Sequence, residues 1–346
     1  MYNTIKNMKS VYGRYFLVTG SRTRVNAKDN TRHERRWSRD DLFKYLATVF
    51  GSSVIAILTL MVLELIQGSV PVLDRFGLGF VTGVDWNPVV GREAFGILPY
   101  ILGTIVTSAI ALLIGVPLSL GIAIFLAEMA PSSVRTPLSF VIELLAAVPS
   151  VIYGLWGIFV FRFWVKDLIE KPLSIYLGFL PAFQGTPYGL DILTAGIMLA
   201  IMIIPTVSSV SREVLMAVPD SLREAAYSIG ATRWEAIRMG VLSYARSGLF
   251  GAAILGLGRA VGETMAVTMV IGNTIGAAAL PTSLLKGGQT MASLIANEFN
   301  EADPTSLHPS ALIGVGLILF FFAIAINVFA QLLVRRVLKV KAGAVE

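Results

Sequence analysis

The hydrophobic positions of this chain fall into long uninterrupted runs rather than into short alternating patterns. About twenty consecutive apolar residues cross a bilayer as a helix, and six segments come close to or exceed that length. They are Leu46–Leu63, Gly103–Leu126, Pro137–Val160, Ile192–Val210, Ser247–Val270 and Pro309–Val334. The pattern predicts an all-α, polytopic membrane protein with six transmembrane helices.

Prolines modify this picture in two ways. Pro117 and Pro149 lie inside predicted spans, and internal proline is tolerated where neighbouring helices satisfy the freed carbonyls, which favours a packed bundle. A further uncharged run, Pro172–Leu190, contains three prolines and three glycines. Such a run predicts an ordered loop or interfacial hairpin rather than a helix.

The composition supports a membrane protein and limits the chemistry. Hydrophobic residues make up 55% of the chain and charged residues only 14%, whereas soluble domains carry about 25% charged residues. The absence of cysteine excludes disulfides, thiolate metal sites and cysteine nucleophiles. The two histidines, His33 and His308, lie far apart in polar segments, so we expect surface roles, no metal site, no catalytic residue and no cofactor.

The basic residues are distributed unevenly. Residues 1–44 carry eleven Lys or Arg against four acids, a run that in a soluble protein suggests nucleic acid but beside a span marks the cytoplasmic side. With the N-terminus inside, the inner segments hold 21 basic residues and the outer segments six. We therefore expect both termini in the cytoplasm, a basic tail over 1–44, a membrane domain over 45–346 and no nucleic-acid partner. No apolar segment precedes Leu46, so the first span is expected to act as the insertion signal.

The longest inner loop, residues 218–246, predicts two short helices. Ser221 and Glu224 form a capping-box pattern for a helix that runs to Ile229 and stops at Gly230, and a second helix is expected over Thr232–Met239. The loop would expose an apolar ridge, and beside it Trp234 and Ile237. The ridge consists of Ala225, Ala226 and Ile229. Such a ridge could insert into a groove of a soluble partner. The alternative is that the loop is only a solvated amphipathic linker.

The stretch EAAYSIGATRWEAIRMGVL, residues 224–242, resembles the EAA loop of ABC-importer permeases. It departs from that pattern at Leu242-Ser243, where the family usually has Leu-Pro. The resemblance implies a coupling helix that docks on a cytoplasmic ATPase. The matching positions are Glu224, Ala225, Ala226, Gly230 and Ala231. The sequence has no Gly-x-x-x-x-Gly-Lys-Ser/Thr loop, so the chain is expected to be a transport subunit rather than the ATPase itself.

The fifth predicted span carries an arginine and a glutamate, Arg259 and Glu263, which can pair across one helical turn. Charge inside a membrane is costly, so a charged pair there is expected to have a role. Three alternatives are open: an ion pair that fixes one helix against its neighbour, a binding site for an oxyanion, or a proton relay. Gly258 and Gly262 form a G-x-x-x-G step that allows a helix or a ligand to approach the backbone.

The stretch GLGRAVGETMAVTMVIGN, Gly256–Asn273, resembles the corresponding helix of the phosphate-specific ABC permeases, most closely the PstC type. Ala146–Gly157 and Gln289–Ala302 resemble the same family, and the likeness covers about residues 97–338. It implies the ABC-importer type I permease fold. It also implies that Arg259 binds phosphate oxygens while Glu263 positions the guanidinium and accepts a protonated phosphate oxygen. Further pathway hydroxyls are expected at Thr264, Ser150 and Tyr153.

The resemblance implies four kinds of partner: a second homologous permease subunit, a cytoplasmic ABC ATPase dimer, an extracytoplasmic phosphate-binding protein and membrane lipid. A sulfate or molybdate permease is the rival within the class, and a proton-coupled secondary transporter that uses Glu263 is the rival outside it. A signalling role of the basic tail is a third possibility. Among the other acids, Glu143 is expected to pair with a helix terminus or a base, and Glu64 and Glu128 to meet solvent at span ends.

Overall fold

The computed structural model describes residues 39–342. By its internal contacts the chain divides into two compact units, residues 1–56 and 57–346. In the first unit the described residues belong to the beginning of helix α1 (Arg39–Phe76), whose side chains are exposed from Leu42 onward within this unit. The predicted tail before residue 39 lies outside the described residues.

The second unit is built from helices that follow one another with short connections. After α1 they are α2 (Gly79–Thr82), α3 (Leu98–Ile124), α4 (Ser132–Ala147), α5 (Ser150–Trp156), α6 (Arg162–Val165), α7 (Lys171–Leu177), α8 (Ile192–Met216), α9 (Asp220–Ser228), α10 (Arg233–Ala236), α11 (Leu242–Gly262), α12 (Met265–Val270), α13 (Met291–Glu298) and α14 (His308–Ala342). Single π-helical turns extend four of these helices, at Phe125–Met129, Gly157–Phe161, Lys166–Glu170 and Ile237–Val241.

The all-α polytopic architecture is confirmed. Among residues 39–342, five helical segments are long and apolar enough to cross a membrane, and a sixth crossing is available if one bent helix pair counts as a span. The five are Leu42–Phe76, Leu98–Met129, Ile192–Met216, Arg233–Gly262 and His308–Leu332. The bent pair is Ser132–Ala147 with Ser150–Leu177, whose axes differ by 91°.

The third predicted span, Pro137–Val160, is therefore wrong as a single helix. Val148 and Pro149 both have extended backbone, with ψ of 127° and 138°. Proline disfavours the helical conformation of the residue before it, so α4 ends there and α5 starts in a new direction. The loop predicted over Pro172–Leu190 is also partly wrong, because Lys171–Leu177 is helical and Pro172 sits in the first turn, where proline is tolerated.

Helix α8 forms the centre of the second unit, with 72% of its most hydrophobic window buried. Its core side chains include Met198, Met202 and Ile203, each at most 2% exposed. Gly256 of α11 faces Val207 of α8 so closely that an added Cβ would lie 2.6 Å from Val207 Cγ2. At the predicted step, Gly258 and Gly262, the space is open instead: an added Cβ would meet only Asn327 Oδ1, at 3.9 Å, beside Gly258 and no described atom within 4 Å beside Gly262.

The end of α1 and the start of α14 pack with a two-stranded antiparallel sheet. Strands β1 (Trp86–Asn87) and β2 (Ala94–Phe95) pair Trp86 with Phe95, whose rings meet edge to face at 5.0 Å. Tyr100 of α3 lies against Trp86, and its hydroxyl accepts a hydrogen bond from the Gly276 N–H at 3.0 Å. This aromatic cluster fixes the loops before α3 and after α12 relative to each other.

A buried pair of carboxyl groups marks the start of α8. Glu170 accepts hydrogen bonds from the Gly189 N–H and the Thr194 hydroxyl, both at 2.9 Å. Asp191 caps α8 by accepting from the Thr194 N–H at 2.8 Å, and its other oxygen has no hydrogen-bond partner. Burial, and after it the charge of Glu170, raises the pKa of Asp191 above its ordinary value of 3.8.

This raised pKa predicts a pH-dependent stability. The folded chain keeps a proton on Asp191 that the unfolded chain has already lost, so stability falls as pH rises above the ordinary carboxyl range. Asp191→Asn retains an acceptor for Thr194 and removes the titration. We expect its melting temperature in detergent to vary less than wild type between roughly pH 5 and 8 and to exceed wild type at the upper end. The exposed Asp85→Asn serves as control, and an unchanged slope in Asp191→Asn would contradict this account.

Candidate functional site

Arg259 lies in the last turn of α11 and is half-buried. Its Nη1 donates a hydrogen bond to the Thr206 hydroxyl of α8 at 2.8 Å. Guanidinium groups have five N–H donors in a planar fork, so this one bond fixes the orientation of the group and leaves other donors available. Thr206 was not predicted from the sequence, although a hydroxyl directly after Pro205 within an apolar span is the kind of polar position that marks a site.

The guanidinium lines a cavity of about 610 Å³ between α8, α11 and α14, the Arg259 cavity. Its other described lining residues are uncharged, and they are Thr206, Gly251, Ile254, Leu255, Gly258 and Asn327. Gly258 leaves space beside the Asn327 amide, because an added Cβ would meet its Oδ1 only at 3.9 Å. The cavity therefore combines one permanent cation with two neutral polar side chains and an apolar wall.

The predicted ion pair between Arg259 and Glu263 is absent from the salt bridges of the described residues. Helix α11 ends at Gly262, and Glu263 has extended backbone with ψ of 127°. Residues four apart share a face only within a continuous helix, so the break removes the geometry on which the predicted pair depends. Glu263 instead accepts a 3.4 Å hydrogen bond from the Ala266 N–H at the start of α12.

The other predicted pathway hydroxyls are distributed around this break and the bend at Pro149. Thr264 lies in the break and donates to the Gly262 carbonyl at 3.2 Å. Ser150 begins α5 and is half-buried. Tyr153 donates to the Leu145 carbonyl across the bend at 3.0 Å, and its phenol lies within electrostatic reach of Arg259. The structure thus brings Tyr153 near Arg259 but shows no direct bond between them.

Helices α9 and α10 form a second feature, the α9–α10 corner, with Gly230 between them at φ of +81° as predicted. Thr232 caps α10 in a complete capping box with Glu235. The predicted cap at Ser221 is wrong, because α9 begins at Asp220 after Pro219 and has no side-chain cap. Proline pre-sets the chain for the first turn, so no hydroxyl is needed there.

The exposed apolar surface of the corner differs from the predicted ridge. Ala226 and Ile237 are buried, at 7% and 2% exposure, because they face the rest of the bundle. Glu224 and Ala225 are exposed, and Ala231 is half-buried. Exposed large side chains at the corner are Tyr227, Ile229, Trp234 and Met239. The corner therefore presents a larger aromatic and aliphatic surface than the sequence predicted.

Arg223 anchors this corner and was not predicted. Its guanidinium binds both carboxylate oxygens of Glu128 at 2.6 and 3.2 Å, and it also donates to the carbonyls of Val218 and Leu215. The Glu128 side chain is 9% exposed, so its prediction as a solvated span end is wrong. Hydrogen bonds with Glu128 raise the pKa of Arg223, keeping it charged. Arg233 donates to the Glu128 backbone carbonyl as well.

Two other acids were predicted at or near span ends. Glu143 pairs with Arg212 of α8 at 3.2 Å, as predicted for a neighbouring base. Glu64 is exposed on α1. Glu143 is therefore part of an ion pair, Glu64 faces the surface, and neither is among the described lining residues of the Arg259 cavity.

Comparison with known proteins identifies the family. Residues 119–339 match the binding-protein-dependent transport system inner membrane component family. The chain is 44% identical over 306 residues to the phosphate transport system permease protein PstC of Haemophilus influenzae, covering 87% of this chain and 95% of that protein. It is 46% identical over 301 residues to the protein of the same name from Xylella fastidiosa, covering 86% and 91%.

A solved structure shares the fold. The bacterial alginate ABC transporter, in complex with an alginate-bound periplasmic protein, aligns with a TM-score of 0.56 at 18% identity, over 88% of this chain and 99% of the aligned one. The family match and the apolar helices make this chain a multi-pass protein of the inner membrane. It belongs to the family of binding-protein-dependent transport system inner membrane components.

Proposed function

We propose that this chain is the membrane-spanning permease subunit of an ATP-driven ABC importer that carries inorganic phosphate into the cytoplasm. The observation that carries the proposal is the Arg259 guanidinium, held by Thr206 at 2.8 Å on the wall of a 610 Å³ cavity. The names of its relatives, phosphate transport system permease proteins, support phosphate as the substrate.

The cavity suits a passing oxyanion. A tetrahedral anion needs charge-assisted N–H donors that replace its hydration, and a planar guanidinium supplies several at once. The apolar side chains Ile254 and Leu255 lower the local dielectric and strengthen each contact. Arg259 is the single charged residue among the described lining residues, so binding stays weak enough for release.

We assign the discrimination between phosphate and sulfate to the break between helices α11 and α12. Phosphate at neutral pH carries at least one P–OH, whereas sulfate carries none. A carboxylate accepts a hydrogen bond from P–OH and repels a fully deprotonated oxyanion. We therefore assign Glu263 to substrate selection and Thr264, Ser150 and Tyr153 to further pathway contacts.

The energy source is assigned to a separate ABC ATPase dimer, because the sequence has no phosphate-binding loop of its own. The α9–α10 corner supplies the docking surface, with Ile229 and Trp234 exposed at 77% and 55%. A second homologous permease completes the pathway, and an extracytoplasmic phosphate-binding protein delivers the substrate. Both termini then face the cytoplasm, in accord with the distribution of basic residues.

The test is uptake by the assembled transporter in proteoliposomes with ATP inside and labelled phosphate with the binding protein outside. We expect phosphate accumulation that requires ATP, survives a proton uncoupler and persists in excess sulfate. Competition by sulfate or molybdate would favour a permease for those anions. Uptake without the ATPase that an uncoupler collapses would favour a proton-coupled carrier. Either result would overturn the proposal.

A further inference from the structure

A second polar cavity, the acidic cavity, has a volume of about 620 Å³ and lies beside the start of α14. Its wall combines the turn at Val89, the segment at Asn273 after α12, and the stretch from the end of α13 to α14. Three carboxylates stand in this wall, at Glu298, Glu301 and Asp303. Among its lining residues within 39–342 there is no lysine or arginine.

One of the three carboxylates has a structural role. Glu298 Oε2 accepts from the Trp86 indole N–H at 2.8 Å and contacts His308 Nε2 at 2.8 Å. The surface role predicted for His308 is therefore wrong, because this contact and the rings of Trp86 and Phe95 bury it to 6% exposure. Glu301 and Asp303 are exposed, and neither takes part in a salt bridge within residues 39–342. Hydrogen bonds from Thr305 hold the pKa of Asp303 below its ordinary value, so the group stays charged. The fold therefore leaves two anionic groups without a cationic partner.

A buried amide in the same wall also lacks a partner. Gln289 is 1% exposed and lines the cavity, and its Oε1 accepts no hydrogen bond from any residue that the structure describes. A buried acceptor without a donor is costly, and such groups call for a bound donor. The C-terminal end of α13, with its negative dipole end, lies at the same wall. Each of these features attracts a cationic group rich in N–H donors and repels phosphate.

We propose that the acidic cavity receives a lysine or arginine side chain of the extracytoplasmic substrate-binding protein when that protein docks. The inference rests on the proposed function, which supplies this partner and places the start of α14 on the outer side. A metal ion is the weaker occupant, because no three His, Asp or Glu residues gather as a metal site within the described residues. A volume of 620 Å³ also far exceeds a bare ion and accommodates an inserted side chain.

The test measures docking on the complete transporter in lipid nanodiscs, with the phosphate-loaded binding protein as the soluble partner. The variant is Glu301→Gln with Asp303→Asn, since asparagine still accepts from Thr305. We expect its Kd to rise about tenfold or more, with a slower association rate and a weaker dependence on salt. Asp85→Asn, an exposed acid outside the cavity wall, is the matched control and should bind as wild type.

A second measurement uses the absence of cysteine in this chain. Glu301→Cys gives the permease a single thiol at the cavity, and docking of the binding protein should slow its labelling by a maleimide. The melting temperature of each variant reports whether it is folded. Wild-type docking by the double variant, in a transporter that still imports phosphate, would overturn this inference and leave the proposed function intact. Reduced uptake with unchanged docking would indicate a free cation in the cavity and would also overturn it.

Discussion

Phosphate uptake is expected to fall about 100-fold in Arg259→Gln while the transporter still assembles, because hydrogen bonds to charged groups contribute about 1.5–3 kcal/mol. Glutamine retains a polar end group, but it is shorter than arginine and loses the charge and most of the donors that face the cavity. Arg259→Lys keeps the charge without the planar fork, so we expect an intermediate loss. Uptake of labelled phosphate in proteoliposomes checks the effect, and copurification of the ATPase checks assembly.

Thr206→Val is the matched control for this prediction. It removes the hydroxyl that orients the guanidinium at 2.8 Å and leaves the charge in place. We expect a smaller loss of uptake than in Arg259→Gln, and the ATPase should copurify normally. If Arg259→Gln imported phosphate at the wild-type rate, the oxyanion role would be wrong. If Arg259→Gln failed to assemble while Thr206→Val transported normally, Arg259 would have a structural role in holding the helices together.

The second large effect is expected at the anchor of the α9–α10 corner. Arg223→Ala leaves the Glu128 carboxylate, 9% exposed, without its bidentate partner. A buried charged group left unpaired costs about 3 kcal/mol, so the corner should loosen from α3 and α8. We expect phosphate uptake to be lost while the bound ATPase still hydrolyses ATP. The reason is that conformational changes of the ATPase would no longer be transmitted to the transmembrane helices. Parallel assays of uptake and ATP hydrolysis on one preparation measure this uncoupling.

Asp220→Asn provides a control on the same arginine. Asp220 pairs with Arg223 at 2.9 Å, but its side chain is 88% exposed, and exposed ion pairs contribute little. This variant should transport almost as wild type. Glu128→Leu combined with Arg223→Met replaces the pair by apolar groups and should recover stability. Normal coupling in Arg223→Ala would show that the corner is held by other contacts.

Several features that depend on hydrophobic length and on local backbone rules were predicted correctly from the sequence, although the break at Pro149 and the missing cap at Ser221 were not. The helix from Ile192 begins at the predicted residue, and Gly230 ends the first helix of the α9–α10 corner with positive φ as expected. Each of these features is determined by neighbouring residues in the chain. The charged pair at Arg259 and Glu263 was mispredicted for a related reason, because the i, i+4 rule assumes a helix that in fact stops at Gly262.

The missed residues all depend on long-range geometry. Thr206 meets Arg259 from 53 positions away, and Glu128 meets Arg223 from 95 positions away. Nothing in the local sequence identifies which polar residue of one helix faces which residue of another. A single sequence therefore singled out Arg259 and the position of the corner, but not the partners that hold either in place.

The bend at Pro149 has a consequence for the surrounding lipid. Helix α4 has 16 residues, a rise of about 24 Å at 1.5 Å per residue, whereas the hydrocarbon core is about 30 Å thick. Since the chain turns by 91° after α4, the following helix does not simply extend it. Acyl chains next to this short segment have to compress or tilt, so membrane thickness acts directly on the hinge between α4 and α5.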